Sequence, residues 1–179
     1  MPTALLIVDV QNIVCSGELG AHEFERVIDR INHVAHKVRS VNALVVLVQH
    51  ETRCGDMDYG SANWQLATLL DRSSSDVVVR KTASDAFLDT NLQALLVSRG
   101  IADLIICGFQ SEFCVDSTVR RAMALGYPVT LVADGHTTFD NGVLSATEIS
   151  AHHNKTLSSI ESYGPRTRVV PAADIRLKS

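Results

Sequence analysis

Six short runs rich in Val, Ile and Leu recur along the 179-residue chain, each separated from the next by a longer stretch, and this spacing constrains the fold more than any other feature. The runs cover 4–9, 43–49, 77–81, 103–108, 129–133 and 168–170. Most are apolar at every position instead of alternating, which is the pattern of strands buried on both faces in a parallel sheet. Helical periodicity fills 23–41, 88–99, 112–125 and 145–160, with Gly100 and Gly126 placed as C-terminal stops, and a further short helix is expected over 61–70. This alternation predicts an α/β protein, a three-layer α/β/α domain around a doubly wound, Rossmann-like, six-stranded parallel sheet. At 179 residues and 46% hydrophobic, one core is enough, so a single domain over 1–179 is expected.

Ligands of doubly wound sheets bind beyond the carboxyl ends of the strands. That rule selects 9–12, 50–59, 81–87, 108–114 and 134–140 as the segments to search. Asp9 emerges after five apolar residues and, partly desolvated, needs a partner or caps a turn. Lys81 ends its own run in the same way and can pair with that aspartate. Cys114 lies about three residues inside a helix that Ser111 can cap, a place that favours thiolate; the plainer reading is a small buried hydrophobe. Three such groups from three strands converge in one crevice, and a structural Asp–Lys pair does not require a cysteine facing it.

The remaining composition narrows the partners. A net charge of -4 gives no basic field, so nucleic acid and anionic membrane are not expected and a small neutral or mildly polar molecule is. No apolar run approaches the ~20 residues of a membrane span. The run 4–8 is too short for a signal peptide core and has no basic segment before it, so a cytoplasmic protein with reduced thiols is expected. Cysteines at 15, 54, 107 and 114 show no Cys-x-x-Cys spacing.

Three strings carry a resemblance: Leu-Leu-Ile-Val-Asp9-Val-Gln-Asn, Val-Arg-Lys81-Thr-Ala-Ser-Asp-Ala-Phe and Gly108-Phe-Gln-Ser-Glu-Phe-Cys114-Val-Asp-Ser-Thr-Val-Arg. In order and spacing they resemble the signature segments of isochorismatase-like cysteine hydrolases, from about residue 4 to about residue 160. The stretch Thr147-Glu-Ile-Ser-Ala-His-His-Asn-Lys-Thr-Leu resembles the branch of streptothricin hydrolase-like proteins. The resemblance implies that Cys114 attacks a carbonyl carbon, Asp9 moves the proton and Lys81 holds the pair, through a thioester that water cleaves. It implies a cis peptide between Phe109 and Gln110, with the backbone N–H groups of Gln110 and Cys114 facing the oxyanion. It also implies a homo-oligomer and no cofactor.

Nicotinamidases of the superfamily carry an Asp-x-His...His metal site after the second strand. Here 49–56 reads Gln-His-Glu-Thr-Arg-Cys-Gly-Asp, so that ligand set is missing and no metal is expected; His50 with Glu51 and Asp56 is a weak substitute or a solvated loop. His152 and His153 read as structural or subunit-contact residues. Asn12 can orient the base or bind substrate, His136 can touch substrate, and Trp64, Tyr59, Phe87 and Phe113 can wall the pocket or pack the core. A nucleophilic cysteine points to C–N cleavage, with vinyl ether hydrolysis, a non-catalytic binding member and a redox-sensing thiol as the other readings.

Overall fold

The structure is a computed structural model and describes residues 2–15, 17 and 20–177. The apolar runs form one sheet of six strands, β1 (Thr3–Val8), β2 (Leu44–His50), β3 (Val77–Lys81), β4 (Asp103–Phe109), β5 (Val129–Thr137) and β6 (Thr167–Val170). Their order is β3-β2-β1-β4-β5-β6 and every neighbouring pair is parallel. Four helices, α1 (Phe24–Ser40), α2 (Leu92–Ser98), α3 (Asp116–Ala124) and α4 (Ala146–Ser158), cover the faces. The expected single-domain doubly wound fold is therefore present.

Side chains of β1 alternate between two cores, as strand geometry requires. Leu5 and Ile7 join the buried face of α1 (Val27, Ile28, Ile31, Val34 and Val38) on one side. On the other side Ala4, Leu6 and Val8 meet Leu92 and Leu96 of α2, Val119 and Met123 of α3 and Leu157 of α4. Among the described residues none caps helix α1 through a side chain, and its apolar stripe anchors it: Ile28 and Ile31 are fully buried, each worth roughly 1.5–3 kcal/mol. Among the described residues no helix is long and apolar enough to cross a membrane.

The chain adds strands in one direction from β1 to β3 and in the other from β4 to β6, so the order switches between β1 and β4. There Val8 pairs with Gly108, which has φ of 124° and whose hypothetical Cβ would lie 2.0 Å from the Val8 carbonyl oxygen. Only glycine fits this approach of two main chains.

Four expected elements differ. Residues 61–70 are turns, not a helix, because the Trp64 carbonyl that would continue a helix accepts instead from the Gln11 and Gln49 side chains. Helix α2 starts at Leu92 rather than 88, since Asp85 and Thr90 take the Phe87 and Leu92 N–H groups and build turns. The segment expected as a helix from 112 opens with a π-helical turn over Ser111–Val115. Strand β5 runs on to Thr137 past an irregularity in which β4 advances from Ile106 to Gly108 while β5 advances from Leu131 to His136.

Candidate active site

Asp9, Lys81 and Cys114 meet at the carboxyl edge of the sheet, at the switch in strand order. Asp9 follows β1 with φ of 52°, its N–H held by the Val48 carbonyl, so its side chain turns into the crevice instead of along the strand. Gln11, fully buried, spans the next gap: its amide bonds the His50 and Trp64 carbonyls and accepts the His50 N–H, tying the loops after β1 and β2 together. Sequence reasoning passed over Gln11, although a carboxamide directly after a buried strand is the signal of such a tie.

Lys81, at the end of β3, has no exposed side-chain surface. Its Nζ lies 2.7 Å from Asp9 Oδ2, 3.0 Å from His50 Nδ1, 2.9 Å from the Ala83 carbonyl and 3.3 Å from Cys114 Sγ. An ammonium has three N–H groups, and here four acceptors surround it. The contact with Asp9 is close but off the direction of a hydrogen bond, and among the described residues neither Asp9 oxygen has a hydrogen-bond partner.

Cys114 lies in the π-helical turn, and the expected cap is absent: Ser111 bonds His136 and Ser150 instead. The expectation of a resting thiolate is corrected too. Burial, with the Asp9 carboxylate adding to it, pushes the Cys114 thiol up to about 12 against the opposing pull of Lys81. Burial, and then the charge of Lys81, holds His50 below the usual imidazole range.

A cavity of about 250 Å³ opens onto these groups, lined by Asp9, Ile13, Val14, His50, Met57, Ser84, Phe109, Gln110, Phe113 and Cys114. Larger hollows of about 490 and 390 Å³ lie at the opposite edge, beside the first residues of the strands, away from the convergent groups. The peptide between Phe109 and Gln110 is cis, as the resemblance implied. Of the five side chains expected at the pocket on aromatic or histidine grounds, Trp64, Tyr59, Phe87, Phe113 and His136, Phe113 lines the cavity, half exposed at its mouth. The others do not. Phe87 is buried in the core and stacks on Tyr127. Trp64 packs edge-on against Tyr59, and His136 is buried against Ser111 and Asn154. Asn12, expected to orient the base or bind substrate, reaches the Ala62 carbonyl. Apolar Ile13, Val14 and Met57 form the wall in their place, and sequence offered only their position in loops at the right edge.

Among the described residues one trio has donor atoms clustered closely enough for a metal ion: Asp9, His50 and Cys114, within 4.8 Å of one another. The Lys81 ammonium touches all three, so an ion there competes with a cation of the chain's own. Glu51 is engaged by Arg80 in two hydrogen bonds and does not join His50 in a ligand set.

Comparison with known proteins bears on the family and the fold. The model of the isochorismatase domain matches residues 3–161. Streptothricin hydrolase of Streptomyces noursei is 37% identical over 174 residues, covering 95% of this chain and 62% of the relative. A second streptothricin hydrolase of that organism is covered over 55% of its length, so the chain spans less than two thirds of these relatives. Ureidoacrylate amidohydrolase of Azorhizobium caulinodans is 25% identical, with 74% of each chain covered. A crystal structure of an isochorismatase family protein superposes with a TM-score of 0.85 at 34% identity, covering 94% of this chain and 97% of that one. With the family's domain spanning most of its length and the family's fold around its crevice, the chain belongs to the isochorismatase family of hydrolases.

Proposed function

We propose that the protein is a cysteine hydrolase that cleaves a C–N bond of a small amide, urea or lactam. One observation carries the reading: Cys114 Sγ and Asp9 Oδ2 lie 3.3 and 2.7 Å from the same Lys81 Nζ, at the floor of a cavity of small-molecule size. Because the resting thiol is held protonated, the proton leaves as the sulfur attacks. Asp9 accepts it while Cys114 bonds to the carbonyl carbon; Asp9 then returns it to the departing nitrogen as the C–N bond breaks. Water attacks the resulting thioester, again with Asp9 as base, releasing the acid and restoring the thiol. Lys81 keeps Asp9 and Cys114 on one centre and offsets the charge that moves between them. The backbone N–H groups of Gln110 and Cys114 serve the oxyanion in this reading. The amidohydrolase among the relatives supports C–N chemistry, and the mainly apolar wall supports an uncharged substrate portion.

The test is ammonia or amine release from a panel of small amides, ureas, lactams and vinyl ethers by the protein and its Cys114→Ala variant, with intact-protein mass to trap the acyl adduct. Release that requires Cys114, together with an adduct of acyl mass, is expected. Turnover that survives the substitution removes the thioester route.

A further inference from the structure

Ser111, His136, Ser150 and Asn154 form a second polar cluster beneath the turn that carries Cys114, and the proposed chemistry uses none of them. Ser111 is fully buried and His136 is 3% exposed. Ser111 Oγ lies 2.8 Å from His136 Nδ1 and 2.9 Å from Ser150 Oγ, and His136 Nε2 lies 2.9 Å from Asn154 Oδ1. At the far end Asn154 Nδ2 donates to the Ala133 carbonyl at 2.8 Å.

This last contact sets the direction of every other. A carbonyl only accepts, so the Asn154 amide nitrogen faces it and Oδ1 faces His136, which places the imidazole proton on Nε2. His136 Nδ1 is then an acceptor, Ser111 donates to it, and Ser150 donates to Ser111. Burial holds His136 below the ordinary imidazole range, in keeping with a neutral ring. The irregularity in β5 brings His136 opposite Gly108, and two residues later Thr138 donates to Glu112 Oε1 at 2.8 Å. The end of β5 thus grips the five-residue turn at two of its first residues, and α4 backs one of those grips.

We propose that His136 is a positioning residue for Cys114: its oriented hydrogen bonds fix Ser111, and through it the turn, so that the sulfur stays against Asp9. The proposal rests on the reading of Cys114 and Asp9 as nucleophile and base. Apolar side chains of similar size can fill buried space with comparable stability, whereas hydrogen bonds of fixed direction add placement. Placement matters here because an error of about 1 Å at a reacting atom costs on the order of 100-fold in rate.

The experiment is a double-mutant cycle read by iodoacetamide alkylation of Cys114, followed by peptide mass spectrometry, with exposed Cys54 as internal reference. Asp9→Asn, which removes the carboxylate that raises the thiol and leaves Lys81 in place, is expected to speed alkylation of Cys114 in the otherwise intact protein. In the His136→Leu background the same change is expected to have at least roughly tenfold less effect, because the sulfur no longer rests on the base. His136→Gln, whose amide can accept from Ser111 and donate to Asn154, is expected to restore the coupling. If His136→Leu does not fold, Ser111→Ala takes its place, since it deletes one hydroxyl. Coupling that persists undiminished in His136→Leu or Ser111→Ala overturns the positioning role while leaving the proposed chemistry intact. An Asp9→Asn variant whose Cys114 reacts no faster than wild type shows that the carboxylate does not act on the sulfur, and removes Asp9 as the base and the positioning claim with it.

Discussion

On one side of the 111–115 turn, Ser111, His136, Asn154 and Ser150 satisfy one another in a chain that ends on a backbone carbonyl; on the other, Lys81 faces four acceptors while, among the described residues, both Asp9 oxygens lack a hydrogen bond. Both clusters are buried, both contain a histidine, and both touch the turn of Cys114. Their difference teaches how to separate architecture from chemistry. A buried group left unsatisfied costs roughly 1–3 kcal/mol and keeps its capacity open to a ligand. A closed network asks for nothing from a ligand and serves to hold things still.

That contrast breaks most visibly at Lys81. Lys81→Met strands the Asp9 carboxylate without its buried partner, and a loss of roughly 3–5 kcal/mol is expected in urea unfolding, together with the loss of turnover. Asn154→Leu, in the closed cluster, leaves His136 Nε2 and the Ala133 carbonyl unpaired, and about 1–3 kcal/mol is expected by the same measurement. A smaller loss there than at Lys81 sharpens the comparison; the reverse order breaks it.

The two clusters also separate with pH. Burial raises the folded Cys114 and Cys15 thiols from the ordinary 9.0 to about 12, so above pH 9 the unfolded chain releases protons that the folded chain keeps. Stability is therefore full below pH 9 and falls as pH rises towards 12, by up to about 1.4 kcal/mol per pH unit for each thiol. Cys114→Ala is expected to make this alkaline decline shallower in thermal melts. In acid the sign reverses: His136 and His50 are both depressed from 6.5, so as pH falls below that value the unfolded chain binds protons first and stability is lost. His136→Gln is expected to remove its share of the acid decline and none of the alkaline one. The smallest effect belongs to the cavity mouth, where Phe113 is half exposed: Phe113→Ala is expected to change stability by about 0.5 kcal/mol or less while altering KM for substrates of the panel.

Much of this was legible in the residues. Strands buried on both faces write themselves as unbroken apolar runs, and a charged residue at the end of such a run, Asp9 or Lys81, has only the sheet edge to go to. What stayed hidden depends on contacts distant in sequence. No local signal says that the Trp64 carbonyl is taken by Gln11 and Gln49 in place of a helical N–H, or that β5 skips residues to bring His136 beside Gly108. The aromatic residues misled for a related reason: Phe87 serves the core as well as it would serve a pocket, and composition does not distinguish the two. The thiolate expectation weighed a helix terminus and a cation, but burial and a facing carboxylate outweigh both.

Gly108 leaves no room for even one methyl group between β1 and β4, since its hypothetical Cβ would sit 2.0 Å from the Val8 carbonyl oxygen. Asp9 is the next residue along one of these strands and Gln110 follows two residues along the other, so the span from Asp9 to the start of the Cys114 turn is measured out by main chain. Mutational drift in the two cores has no spacer there to lengthen or shorten. The wall, by contrast, is made of loop residues such as Ile13, Val14 and Met57, which no strand pairing constrains. Such a molecule can change its diet without changing its teeth: selection acting on substrate choice works through parts whose replacement leaves the reacting atoms where they were.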